Sequence, residues 1–268
     1  MAMSGMIVRL NARQPEALAD FFVQTLGFER DTPGADIVAL TLGASRLEIV
    51  GCDGRPYPAC VPGWSPLFQH FAITTTDMSA AVSRLERAQG WAPISQGGPQ
   101  QLPANTGGVT AFKFRDPEGH PLELIAFPDE ATGAPPRIDH SAISVADTAT
   151  SVGFYAALGL VIGGRSLNRS PEQDRLDGLD GVEVGVTALE FPSGGSHVEL
   201  LCYRGDYPRM IMLAAPNDVA ATRLAWRAEE PLGSLAEAFA DRIVTLDAAT
   251  GILLIRDPDG HLIQLAAA

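Results

Sequence analysis

The hexapeptide Arg-Asp-Pro-Glu-Gly-His at 115–120 returns as Arg-Asp-Pro-Asp-Gly-His at 256–261. Each copy follows an apolar stretch (109–114, 252–255) and precedes another (121–127, 262–266). Proline presets φ and glycine accepts a positive φ, so Asp-Pro-x-Gly reads as a turn between two strands. Both halves of the chain therefore end in the same β-hairpin. A second repeat opens each half: Phe21-Phe-Val-Gln-Thr-Leu-Gly-Phe28 and, one residue shorter, Phe154-Tyr-Ala-Ala-Leu-Gly-Leu160. Each copy closes a helix, expected over 16–25 and 148–158, at a capping glycine, Gly27 or Gly159. Two further strand–helix openings follow, at 68–74 with 78–89 and at 222–227 with 232–240. The chain thus reads as an α+β protein of four βαβββ units, at 4–52, 67–128, 137–204 and 218–268. The polar, proline-containing stretch 129–136 is the linker between a first domain, 1–128, and a second, 137–268.

Hydrophobic residues make up 46% of the 268 and charged residues 19%, so each domain has the apolar material for a core. The formal charge of −13 argues against a nucleic-acid partner. Lys113 is the single lysine; every other side chain of the Lys and Arg class is arginine. Cys52, Cys60 and Cys202 have no metal-ligand spacing and are odd in number, which fits a reducing cytoplasm better than a disulfide framework. The start, MAMSGMIVRL, has no signal-peptide pattern. No apolar run approaches the roughly 20 residues of a membrane helix. The expectation is a cytoplasmic protein, monomer or homodimer, whose partner is a small molecule rather than a membrane or a nucleic acid.

Strand, helix, an ending like Phe-Tyr-x-x-x-Leu-Gly-Phe, then an Asp-Pro-[Asp/Glu]-Gly hairpin followed by a strand with a central Glu resembles the vicinal oxygen chelate superfamily. That family includes glyoxalase I, extradiol dioxygenases, methylmalonyl-CoA epimerase and the fosfomycin- and bleomycin-resistance proteins. The resemblance covers nearly the whole chain. It implies two glyoxalase-like domains with cupped mixed β-sheets, and metal ligands in the first and last strands of a unit.

Carried over unit by unit, the ligand positions survive unevenly. The second unit has His70 and Glu123, and the third has His140 and Glu199. The first offers Ile7 and Glu48, the fourth Arg223 and Gln264. If units pair across the two halves, as the resemblance to glyoxalase I implies, one site collects His70, Glu123, His140 and Glu199. The other collects Ile7, Glu48, Arg223 and Gln264 and holds no metal. Two imidazoles and two carboxylates suit one divalent ion per chain, Ni, Zn, Co, Fe or Mn. Taken singly, each Glu also fits an exposed strand face, and each His fits a strand end satisfied by backbone. Glu48 reads as a relic or as a partner of Arg223. His120 and His261 read as structural turn residues. His197 shares the face of Glu199 and reads as a group supporting it or as a bystander.

Two polar stretches, 165–181 and 95–108, read as loops that cover the site or as ordinary solvated loops. Arg169 and Arg175 in the first are candidate anion contacts, with Tyr203 as a further substrate contact. The resemblance implies a metal-dependent lyase or isomerase that binds a small oxygenated substrate through two oxygens and stabilises a metal-bound enolate. Glu199 or Glu123 would abstract the proton. Ser144 and Tyr203 stand where the family's glutathione contacts are expected, so a glutathione adduct is not the expected substrate. Two alternatives stay open: an extradiol ring-cleaving dioxygenase using Fe²⁺, and a metal-free small-molecule binder resembling the bleomycin-resistance proteins.

Overall fold

The computed structural model describes residues 5–32, 37–207 and 213–267. The expected unit limits at residues 4 and 268 lie outside the described residues. The first unit contains β1 (Ile7–Ala12), α1 (Pro15–Leu26), β2 (Glu29–Arg30), β3 (Ile37–Leu42) and β4 (Ser45–Gly51). The second contains β5 (Gln69–Thr74), α2 (Met78–Arg87), β6 (Ala92–Pro93), β7 (Gln100–Gln101), β8 (Thr110–Arg115) and β9 (Pro121–Ala126). The third contains β10 (Ile138–Ser144), α3 (Thr148–Ala157), β11 (Val161–Asn168), α4 (Pro171–Asp177), β12 (Val184–Glu190) and β13 (His197–Tyr203). The fourth contains β14 (Arg223–Arg227), α5 (Leu232–Ala238), β15 (Ile243–Asp247), β16 (Ile252–Arg256) and β17 (Leu262–Ala266).

Two mixed sheets result. One runs β15-β16-β17-β14-β1-β4-β3-β2 and joins the first and fourth units. The other runs β11-β12-β13-β10-β5-β9-β8-β6, with β7 beside β8, and joins the second and third. Each sheet thus takes one unit from each half of the sequence. The seams are antiparallel: β1 meets β14 at Val8↔Leu224, and β5 meets β10 at His70↔Ala142.

Strand alternation divides the two faces of each sheet. Phe71, Leu122, Leu124, Ile143, Val198 and Leu200 point from one sheet into the same core as Val8, Leu10, Leu47, Ile49, Leu224 and Ile263 from the other. The helices fill the space between. α1 packs on β1, β3 and β4 and meets α2, which lies on β9. Phe22 of α1 stacks on Phe71, with ring centroids 6.0 Å apart. Phe154 of α3 meets Phe239, just past α5, at 5.1 Å. Each fully buried Phe or Leu of this layer contributes about 1.5–3 kcal/mol. The opposite, cupped faces are left for chemistry. No helix among the described residues is long and apolar enough to cross a membrane.

The repeated hexapeptide works as expected. Asp116 accepts from the backbone N–H of Glu118 and of His120, closing the turn at Gly119 (φ +97°). His120 Nδ1 contacts Asp116 at 2.8 Å and Nε2 contacts the Asn11 carbonyl at 3.0 Å. In the second copy His261 Nε2 reaches the Ser144 carbonyl at 3.0 Å. Each histidine therefore ties the hairpin of one unit to the first strand of the preceding unit, a structural role. The stretch 165–181 differs from its reading as a loop: β11 runs through Asn168, and α4 follows. Ser170 caps α4 by accepting from Gln173 N–H, Pro171 fixes the first turn, and Gly178 (φ +63°) ends it.

Candidate metal centre

The four candidate ligands come from four adjacent strands. His70 lies on β5, Glu123 on β9, His140 on β10 and Glu199 on β13. The parallel pairs set Glu123 opposite Ala72 and Glu199 opposite Ala142, so all four side chains share the cupped face. Small alanines at the paired positions leave room for them. His70 Nε2 lies 2.8 Å from Glu123 Oε2. His140 Nε2 lies 3.6 Å from Glu199 Oε2, and the His70 and His140 rings are 5.7 Å apart. His70, Glu123 and His140 form the tight group, with donor atoms within 4.8 Å of one another. Glu199 borders it, its side chain 22% exposed against 2% for His70.

Asp139, His140 and His197 form a second close group. Asp139 Oδ2 lies 3.0 Å from His140 Nδ1 and orients the ring so that Nε2 faces Glu199. Arg137 holds Asp139 from behind at 3.5 Å and pairs with Glu130 at 2.6 Å. His197 Nε2 lies 3.5 Å from Glu199 Oε1. The first group is the better cation site because of His70. Its Nδ1 is buried without a hydrogen-bond partner among the described residues, and its Nε2 meets only the carboxylate of Glu123. A buried imidazole left in this way costs about 1–3 kcal/mol unless a ligand meets it. The residues fit a divalent ion.

Burial, then the charge of Lys113, holds His70 below its ordinary value, which favours the neutral form a metal ligand requires. Burial alone would raise Glu123, but the 2.8 Å approach of His70 Nε2 and then the charge of Lys113 outweigh it and lower the carboxylate. Burial likewise opposes charge on His140, but Glu199 and Asp139 push it up to about 9, so a cation binding at its Nε2 would have to displace a proton. Glu199 is lowered to about 2, burial being outweighed by His140 and His197.

The group opens into a cavity of about 320 Å³. Both polar stretches singled out in the sequence contribute to it, through Leu102 and Thr106 from one and Asn168, Gln173 and Leu176 from the other. They are stitched together: Ser95 Oγ donates to the Leu176 carbonyl at 2.9 Å, and Arg175 Nε to Gln100 Oε1 at 2.7 Å. Tyr203 lines the cavity and donates to Asp177 at 3.0 Å. Arg175 is spent on Gln100 and Glu172, Arg169 is exposed, and neither lines the cavity, so the expectation of two anion contacts is corrected. The sequence reading missed Asp139 and the site role of Lys113. The adjacency Asp139-His140 was a signal for the first. The second was signalled by a lone lysine alternating with Phe112 and Phe114. A larger cavity of about 590 Å³, near Trp64 and Tyr207, gathers no imidazoles with carboxylates among the described residues, so chemistry rather than volume selects the site.

The other sheet meets its carboxylate, Glu48, with a guanidinium. Arg9 donates to Glu48 through Nε at 2.8 Å and through Nη2, and to Gln264 Oε1 through Nη1 at 2.9 Å. Arg46 Nε takes the second Glu48 oxygen at 3.0 Å. Arg223 donates instead to the Pro216 carbonyl at 2.7 Å, so its expected pairing with Glu48 is not formed.

The sequence model of the Glyoxalase/Bleomycin resistance protein/Dioxygenase superfamily matches residues 6–124. No curated protein matches the chain. Among solved structures, a V278E variant of Zea mays glyoxalase I is similar over 98% of this chain and 93% of its own, with 17% identity and a TM-score of 0.67. Zea mays glyoxalase I without that substitution covers 99% of this chain and 92% of its own, at 17% identity and a TM-score of 0.65. A Bacillus subtilis protein, provisionally assigned as a dioxygenase, covers 99% and 85% at 12% identity and a TM-score of 0.59. At these identities the likeness establishes a shared fold.

Proposed function

Because residues 6–124 belong to the Glyoxalase/Bleomycin resistance protein/Dioxygenase superfamily and the whole chain carries the glyoxalase fold, we propose that it is a metal-dependent lyase or isomerase. It acts on a small oxygenated substrate by moving a proton α to a carbonyl. The observation that carries this reading is the buried group of His70, Glu123 and His140, with Glu199 at its rim.

His70, Glu123 and His140 would hold the ion. When bound, a divalent ion polarises paired substrate oxygens and stabilises the negative charge that develops on them. Glu199 is the proton-moving group: it is ionised at neutral pH, borders the ligands, and stands between His140 and His197. His197, at 22% side-chain exposure, links it toward solvent. Leu102, Val109, Ile125, Leu176 and Val184 wall the cavity and limit water around the transferred proton.

Metal analysis of protein purified without chelators is expected to show about one ion per chain. His70→Ala and His140→Ala lose tight binding, whereas Glu48→Ala keeps it. Glu199→Gln retains metal but slows solvent-deuterium exchange into an enolisable substrate by about 10²–10⁴-fold. A metal content near zero that added Ni²⁺, Zn²⁺ or Fe²⁺ does not restore would overturn the reading.

One observation favours a second reading. The tight group is two histidines and one carboxylate, a set that also suits Fe²⁺ oxygen chemistry. Oxygen uptake with catechols after anaerobic iron loading, with absorbing ring-opened products, would select ring cleavage.

A further inference from the structure

Lys113 is the single lysine of the chain and the one Lys or Arg among the residues lining the metal-centre cavity. It is 4% exposed and sits on β8 directly across from Glu123, on the same cupped face. Its Nζ donates to Asp177 Oδ1 at 2.7 Å. The other oxygen of Asp177 is taken by Tyr203 Oη at 3.0 Å and Gln173 Nε2 at 2.9 Å. Asp177 is thereby fixed, and it fixes Lys113. An ammonium has three N–H groups. Among the described residues, Asp177 is the hydrogen-bond partner of one, which leaves two donors on a buried cation beside the ligand group.

We propose that Lys113 is the substrate-specificity residue of this site. It receives the carboxylate oxygen of a small 2-hydroxy or 2-oxo acid whose neighbouring oxygens meet the metal. The proposal rests on the metal-centre reading and deepens it. With a divalent ion in place, the ion and Lys113 offset most of the negative charge of Glu123, Glu199, Asp177 and Asp139, so the site tolerates a monoanion that meets both cations directly. In a 2-hydroxy acid the hydroxyl and one carboxylate oxygen form the vicinal pair, and the remaining carboxylate oxygen carries charge that needs a donor. A compact ammonium suits a single oxygen at close quarters better than a guanidinium fork does. The rest of the substrate faces Leu102, Val109, Ile125 and Leu176 and is therefore apolar.

Lactate and acetoin test this directly, because both present a hydroxyl and a neighbouring carbonyl oxygen while acetoin has a methyl group where lactate has its anionic oxygen. Binding of each to Co²⁺-loaded protein is read from the cobalt absorption spectrum and by calorimetry. Lys113→Met is expected to weaken lactate at least about tenfold and to leave acetoin unchanged. Lys113→Gln, which keeps a hydrogen-bond donor toward Asp177 without the charge, gives the same selective loss and decides the matter if the Met variant fails to fold. Equal weakening of both probes, or lactate binding within twofold of the parent, overturns the Lys113 proposal while the metal reading stands. Failure of the parent protein to take up Co²⁺ overturns the metal reading and this proposal with it.

Discussion

His120 shows how one repeated residue does physical work. Its Nδ1 faces a carboxylate and its Nε2 a backbone carbonyl, so both nitrogens must donate and the ring is an imidazolium. Burial opposes that charge, but Asp116 outweighs it and raises the residue above its ordinary value. The folded state therefore holds this proton more tightly than the unfolded chain, whose histidine titrates near about 6.5. The resulting stability is complete below that value and fades as pH rises through the raised one. His120→Gln is expected to cost about 2 kcal/mol at pH 6 and less at alkaline pH, read as a narrowing gap between melting curves. A gap independent of pH would contradict the imidazolium assignment. The candidate ligand positions stood out in the sequence by their matching places in the first and last strands of two units, Glu123 as a carboxylate between leucines. Lys113 was seen only as a compositional oddity, since nothing local reveals that β8 lies beside β9 and reaches Asp177 in another unit.

At the level of elements, the hairpins were the clearest features of the sequence and α4 the most obscure. Hairpin chemistry is local: Gly119 has φ +97°, and a Cβ there would stand 2.9 Å from Tyr57 Cβ. Gly119→Ala is therefore expected to lose about 3 kcal/mol by chemical denaturation. Gly97→Ala, at φ +72° with nothing within 4 Å of the new atom, loses about 1 kcal/mol. Equal losses would mean that the turn conformation alone, without the Tyr57 contact, sets the cost. The signals for α4, a Ser-Pro-Glu start and a terminal glycine, were present in a segment otherwise too polar to show a helical stripe. The helix buries Gln173 and Asp177 beside Leu176, and buried polar residues leave no hydrophobic periodicity.

Across the whole molecule, two sheets built from repeated units differ in what neutralises their carboxylates. One sets Glu123 and Glu199 beside His70 and His140, where a divalent cation is proposed to bind. The other supplies its own, Arg9, whose side chain is 15% exposed against 8% for Glu48. Arg9→Met leaves Glu48 buried with only Arg46 and is expected to cost about 3 kcal/mol. Metal affinity should stay unchanged, because the ligands lie on the other sheet; a parallel loss of metal would show that the two sheets are coupled. The sequence by itself determined the four units, their order, the hairpins and the unequal survival of ligand-type residues, because these follow from local turn chemistry and strand alternation. It also suggested pairing across halves, from losses that fall on the first and fourth units together. Only the tertiary structure decided that β5 lies against β10 and β1 against β14, that Arg9 rather than Arg223 pairs with Glu48, and that Lys113 and Asp139 attend the site. Those are contacts between residues far apart in the chain, set by packing of the shared helix layer, and no local pattern encodes them.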